Sequence, residues 1–97
     1  MTKALNQTEI DAQLSDRTGW IHDAEKHAIC RAFGFSNFVE AFGFMTQVAF
    51  IAEKFGHHPD WSNSYNKVLI SLSTHAAGGV TEKDFELAEK ANVAFES

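Results

Sequence analysis

Three of the chain's five histidines fall between Glu53 and Thr81. Two are adjacent, in Phe55-Gly56-His57-His58-Pro59-Asp60-Trp61, and the third closes the run Ser73-Thr74-His75-Ala76. Histidine gives or takes a proton near neutral pH without special tuning. Three of them at the ends of an apparent strand pair form a candidate proton-handling site. Pro59 biases His58 toward extended backbone. Neighbours in extended chain point to opposite sides, so His57 and His58 must differ in role, or one of them is structural. Three carboxylates accompany the set: Glu53, Asp60 and Asp84. Glu53 lies near the end of a helical run, where the helix dipole disfavours an acid. Asp84 has a simpler reading as a helix cap. Trp61 and Tyr65 read as hairpin packing residues, although Trp61 can also wall a pocket for a flat ring.

Two plainer readings compete with proton chemistry. In one, each histidine makes a single hydrogen bond in a loop. In the other, histidines and carboxylates hold zinc or iron. Adjacent histidines of extended chain rarely chelate one ion, and the spacing matches no familiar metal motif, so no metal is expected.

The elements that must position these residues can be read from pattern. Residues 1–7 read as a loose arm. Thr8 reads as the cap of a short helix with Glu9 and Asp11 in its first turn, and with Ile10 and Leu14 facing inward. Trp20 and Ile21 open a first strand. His22 to His27 read as a polar turn, with His22 and His27 facing solvent. Ala28 to Phe35 read as a second strand with Ile29, Phe33 and Phe35 on one face. Arg31 shares their parity, which requires either an edge position or a bulge. Cys30 reads as a small apolar strand residue.

Ser36 or Asn37 caps the longest helix, Phe38 to Phe55, and Gly56 supplies its left-handed stop. This helix carries two apolar stripes at helical spacing. One is Phe38, Phe42, Met45, Ala49 and Ala52; the other is Phe44, Val48, Ile51 and Phe55. A helix apolar on most sides must be covered on most sides. A second subunit on this helix is one solution, and flanking by the first and last helices is the other. Asp60 to Tyr65 and Lys67 to Thr74 read as a hairpin turning near Asn66. Val68, Ile70 and Leu72 alternate with polar neighbours, the period of a strand with one buried face. Leu69 falls on the polar side and is free to touch a partner or the site. Thr81 caps the last helix, with Asp84 at the capping-box position and Phe85, Ala88, Ala91 and Phe95 inside. The order helix, strand, strand, helix, strand, strand, helix predicts an α+β fold: a four-stranded antiparallel sheet with three helices on one face.

At 97 residues the chain reads as a single domain, residues 1–97. So small a domain buries only about 60–65% of its unfolded surface, and a partner subunit would help it. The net charge of −5 and the lack of any Lys/Arg cluster argue against direct nucleic-acid binding. The one cysteine fits a reducing compartment. No apolar run is long enough to span a membrane, and the first residues are no signal peptide. A cytoplasmic protein is the expectation.

These residues resemble the pterin-4a-carbinolamine dehydratase family. The likeness runs from Gly19-Trp20 through the final helix. It is densest in Ala41-Phe42-Gly43-Phe44-Met45-Thr46, in Ala52-Glu53-Lys54 with His57-His58-Pro59-Asp60-Trp61, in Asn63, in Tyr65-Asn66-Lys67-Val68, and in Ser73-Thr74-His75 with Gly79. The His-His-Pro-acid-Trp run followed downstream by Thr-His is highly specific. The resemblance implies dimers, often paired into tetramers through the long helix 38–55. It implies loss of water from 4a-hydroxytetrahydrobiopterin to give quinonoid dihydrobiopterin, which regenerates the pterin used by aromatic amino-acid hydroxylases. No metal or organic cofactor is implied.

Expelling the 4a-hydroxyl requires a proton on the leaving oxygen and loss of a ring N–H proton. The family pattern puts proton transfer at His57 and His75, and His58 mainly in substrate binding. The pterin would lie against Gly56, His57, His58, Pro59 and Trp61 and against Ser73, Thr74, His75 and Ala76. Glu53, Asp60 and Asp84 would stand behind the imidazoles and hold their tautomers. One departure is Ala76, where the family usually has an acid. Some relatives also serve as dimerisation cofactors that bind a transcription factor through the long helix. That non-enzymatic role is the alternative expectation, and the retained histidines favour catalysis.

Overall fold

The computed structural model describes residues 3–97. The elements are α1 (Gln7–Leu14), β1 (Ile21–Asp23), β2 (Ala28–Gly34), α2 (Phe38–Phe55), β3 (Asp60–Ser64), β4 (Lys67–Leu72) and α3 (Glu82–Glu96), with a single 3₁₀ turn at His75–Ala77. The four strands form one antiparallel sheet in the order β1-β2-β4-β3. The expected α+β architecture is therefore the observed one, with the helices on one face.

Strand alternation sets the two sides of the sheet. Val68, Ile70 and Leu72 of β4 are buried, as are Ile29 and Phe33 of β2. They meet Val48 and Phe44 from α2 and Phe85, Leu87, Ala88 and Ala91 from α3. Each large apolar side chain removed from water in this way contributes about 1.5–3 kcal/mol. The outer face carries smaller groups, including Cys30, Ala32, Ser62 and Ser71, and Leu69 is 44% exposed there.

The caps of α2 and the chain around it are those the sequence predicts. The Asn37 side chain accepts the Glu40 N–H at 2.9 Å, and Gly56 closes the helix at φ +73°. Helix α1 begins earlier than expected. Asn6, rather than Thr8, is its cap and forms a reciprocal capping box with Glu9. Of the expected arm, Leu5 donates its N–H to the Val80 carbonyl and packs against the core; Met1 and Thr2 lie outside the described residues.

Other expectations need correction. His22 is no turn residue: β1 extends to Asp23, and His22 pairs with Ile29, half-buried on the inner side. Tyr65 does not pack the hairpin. It occupies the two-residue turn at φ +51° and is 63% exposed. The Asn63 Nδ2 spans that turn, donating to the Tyr65 and Lys67 carbonyls, and Asn66 ties it to Phe35, donating its Nδ2 to the Phe35 carbonyl while its own carbonyl accepts the Phe35 N–H.

Arg31 resolves its parity conflict without a bulge, because β2 and β4 pair in unbroken register from Ile29 to Gly34. Strand β1 starts at Ile21, opposite Cys30, so Arg31 lies beyond its end. Its guanidinium covers the rings of Phe33 and Phe95 and donates to the Thr18 carbonyl and Asn92 Oδ1. Burial draws its pKa down, while Glu96 pulls it up. Asn92 Oδ1 also accepts the Trp20 indole N–H, which ties the residue before β1 to β2 and α3.

On α2 the stripe of Phe44, Val48, Ile51 and Phe55 faces the sheet and α3. The other stripe divides. Ala52 is buried and Met45 half-buried, whereas Phe38, Phe42 and Ala49 are exposed, alongside Val39 and Phe50. Helix α1 lies against β1, so the flanking arrangement leaves that strip of α2 uncovered.

Candidate active site

The left-handed stop at Gly56 turns the chain out of α2, and β3 begins at Asp60. His57, His58 and Pro59 therefore form the short link between the end of a helix and the start of an edge strand. His75 opens the 3₁₀ turn that follows β4, the neighbour of β3. That turn is closed by Gly78 at φ +76° and by a bridge between Thr74 and Gly79.

Each of these three histidines meets one carboxylate, and each meets a different one. His57 Nε2 lies 2.5 Å from Asp84 Oδ1. His58 Nε2 lies 3.0 Å from Glu53 Oε1. His75 Nε2 lies 3.8 Å from Asp60 Oδ2. The first pair is sequestered, with the His57 side chain 12% exposed and Asp84 not at all; the other two pairs are open to solvent.

Asp84 is the hub. Its Oδ2 accepts the Thr81 N–H at 2.8 Å, the reciprocal half of a capping box on α3, and the Thr74 hydroxyl at 2.9 Å. The Thr74 and Thr81 hydroxyls are themselves 2.7 Å apart. The cap reading of Asp84 and its contact with His57 hold together, because its two oxygens divide the work. Through Thr74, the buried pair is linked to the residue next to His75.

A cavity of about 550 Å³ opens on the outer face of the sheet. Of the residues singled out in the sequence, Asp60, Trp61, Ser73 and His75 line it; Gly56, His57, His58, Pro59, Thr74 and Ala76 do not. Trp61 sits at its edge, since pairing with Ile70 turns it toward the inner face, where it packs on the core. Ser62, Leu69 and Ser71 form the floor on β3 and β4. The far wall is the β1–β2 turn, with Lys26 and His27. His27 is exposed, as expected, but it is also a cavity residue, and Lys26 was not foreseen at all. Strand order carries this juxtaposition, and no local motif signals it. Among the described residues no group of three or more His, Cys, Asp or Glu is arranged to hold a metal ion. No helix among them is long and apolar enough to cross a membrane.

Fold and site together define a small α+β protein that sets carboxylate-paired histidines at one end of a four-stranded sheet. Residues 3–94 match the family described as pterin 4 alpha carbinolamine dehydratase, and the chain belongs to that family. A protein of Rhizobium johnstonii is 52% identical over 88% of this chain and 84% of its own length. One of Rhodospirillum rubrum is 52% identical over 92% of this chain and 93% of its own. Both are provisionally named pterin-4-alpha-carbinolamine dehydratases. The crystal structure of a transcriptional coactivator/pterin dehydratase from Brucella melitensis superposes with a TM-score of 0.92 at 43% identity, covering 95% of this chain and 98% of that one. A pterin dehydratase-like RuBisCO assembly factor of the alpha-carboxysome shares the fold, with a TM-score of 0.70 at 20% identity over 81% of this chain and 92% of that one.

Proposed function

We propose that this protein is a hydro-lyase that converts 4a-hydroxytetrahydrobiopterin to quinonoid dihydrobiopterin and water, in the recycling of tetrahydrobiopterin. The observation that carries the reading is the part-buried His57–Asp84–Thr74 chain beside the exposed His75. A carboxylate only accepts, so Asp84 requires the proton on His57 Nε2 and leaves Nδ1 with a free lone pair. His57 is then the base that removes the ring N–H proton. His75, open at the cavity, is the acid that protonates the departing hydroxyl. The bond from C4a to oxygen breaks, its electrons leave with water, and the ring nitrogen's electrons restore conjugation. His58, exposed and paired with Glu53, serves binding.

Dehydration kinetics of three single variants test this reading. His57→Ala and His75→Ala each lower kcat by about 100-fold or more, as expected for loss of a general acid or base, whereas His58→Ala mainly raises KM. Unchanged turnover in both the His57 and the His75 variants overturns the assignment.

The exposed strip of α2 favours a further reading, that a second copy of this chain packs there and builds a dimer or tetramer. Phe38, Phe42 and Phe50 are 47%, 54% and 74% exposed, more aromatic surface than one helix face ordinarily leaves in water. A coactivator role through this strip, in keeping with the description of the Brucella protein, is the non-enzymatic alternative.

A further inference from the structure

Thr74 stands where a residue ordinarily caps a turn with its own side chain. A threonine in that place accepts one of the first N–H groups of the turn it precedes. The Thr74 hydroxyl makes no such bond to the 3₁₀ turn at His75–Ala77. It donates instead to Asp84 Oδ2 at 2.9 Å. The turn is held by the backbone of Thr74. Its N–H donates to the Gly79 carbonyl at 2.9 Å, and its carbonyl accepts the Ala77 and Gly78 N–H groups at 3.0 and 3.1 Å.

The direction of each proton around Asp84 follows. A carboxylate only accepts, so Thr74 is the donor in its bond to Asp84. Its one proton is then engaged, and at the 2.7 Å contact with Thr81 its oxygen must accept. Thr81 in turn accepts the Asp84 N–H. Thr81 and Asp84 are fully buried, which shelters these bonds from water. Oδ2 thus has two fixed donors, Thr74 and the Thr81 N–H, and Oδ1 is held toward His57 Nε2.

We propose that Thr74 is a positioning residue that fixes His57 and His75 relative to each other. Its hydroxyl sets the carboxylate that orients one imidazole, and its backbone holds the turn that carries the other. This rests on the reading of His57 as base and His75 as acid. It departs from the expectation that Thr74 touches the pterin, because its only side-chain proton is engaged inside the protein and none is left to offer a ligand. Two proton-transfer groups acting on one small ring need their spacing held closely, since an error of about 1 Å can cost about 100-fold in rate.

Dehydration kinetics and proton NMR of the full-length protein test this. Thr74→Val keeps the shape and the backbone bonds and deletes only the hydroxyl. It lowers kcat about tenfold, the worth of one hydrogen bond to a charged group, and leaves KM within about twofold. Thr74→Ser restores kcat. In an Asp84→Asn background Thr74→Val costs nothing further, within about twofold, because the hydroxyl acts through that carboxylate. The proton that His57 donates to Asp84 resonates downfield of the amides, and in Thr74→Val it exchanges with water about tenfold faster. Thr74→Cys, whose thiol is a weak donor, moves each readout the same way by less, and stands in should the valine variant fail to fold. Unchanged kcat in Thr74→Val, a raised KM in its place, or equal losses of kcat in both backgrounds overturns the proposal. Unchanged turnover in His57→Ala overturns the base assignment beneath it, while faster proton exchange in Thr74→Val still supports the hold on the ring, so the two failures are told apart.

Discussion

His57 Nε2 stands 2.5 Å from Asp84 Oδ1, and Asp84 is fully buried. The same carboxylate caps α3 through the Thr81 N–H. The first turn of the last helix and the imidazole after the longest helix are thus fixed by one side chain. The ring's orientation is therefore tied to the packing of α3 on the sheet.

Asp84→Asn separates the two duties of that side chain. An amide is close to the same size and can still accept from the Thr81 N–H. To satisfy its own NH₂ it must donate to His57 Nε2, which moves the ring proton to Nδ1 and removes the lone pair assigned to base catalysis. The expected result is a fall in kcat of about 100-fold or more with a stability loss of only about 1 kcal/mol, read from dehydration kinetics and urea unfolding. A variant with full turnover would show that His57 does not act through this pair.

The contrast between local and long-range signals explains what the sequence discloses. Val68, Ile70 and Leu72 alternate with exposed neighbours, so β4 and its buried face are legible. Asn37 and Gly56 are local signals too, and α2 is bounded as they predict. His22 reads as part of the turn because three residues of strand beside a polar turn carry too little periodicity to mark a boundary. Arg31 was a conflict on paper because the ring faces of Phe33 and Phe95 and the oxygen of Asn92 come from distant segments. Glu53, Asp60 and Asp84 stand out as a group beside the histidines in the sequence. Which histidine each one meets depends on where α3 and the β3–β4 hairpin come to rest, and spacing along the chain does not encode that. Lys26 and His27 reach the cavity only through the adjacency of β2 and β4 in the sheet.

Gly19 and Arg31 form a second testable pair. Gly19 has φ +87°, and a Cβ built there would clash with the Arg31 guanidinium at Nε. Gly19→Ala therefore adds backbone strain of about 1–2 kcal/mol to the loss of Arg31's hydrogen bonds, about 1 kcal/mol more. In an Arg31→Ala background the second cost disappears and only the strain remains. A double-mutant cycle by urea unfolding reads the difference as a coupling of about 1 kcal/mol. Equal costs of Gly19→Ala in both backgrounds would assign the whole effect to backbone conformation and none to close approach of the guanidinium.

The exposed strip of α2 gives the last prediction. Phe38, Phe42 and Ala49 recur at helical spacing, and Val39 and Phe50 lie beside them, all of them exposed. None of these side chains belongs to the core cluster, so replacing one with a charged residue costs the isolated fold little, within about 0.5 kcal/mol. If two copies pack through this strip, Phe42→Glu buries a carboxylate against its symmetry mate and splits the assembly. Sedimentation at micromolar concentration should show a dimer or tetramer for the unaltered chain and a smaller species for Phe42→Glu, with circular dichroism unchanged. The histidine–carboxylate pairs all lie within one copy of the chain, so turnover by the split form should stay within about twofold if their geometry survives. A monomer in the unaltered protein would refute the interface, and loss of activity on splitting would mean that the partner copy completes the site.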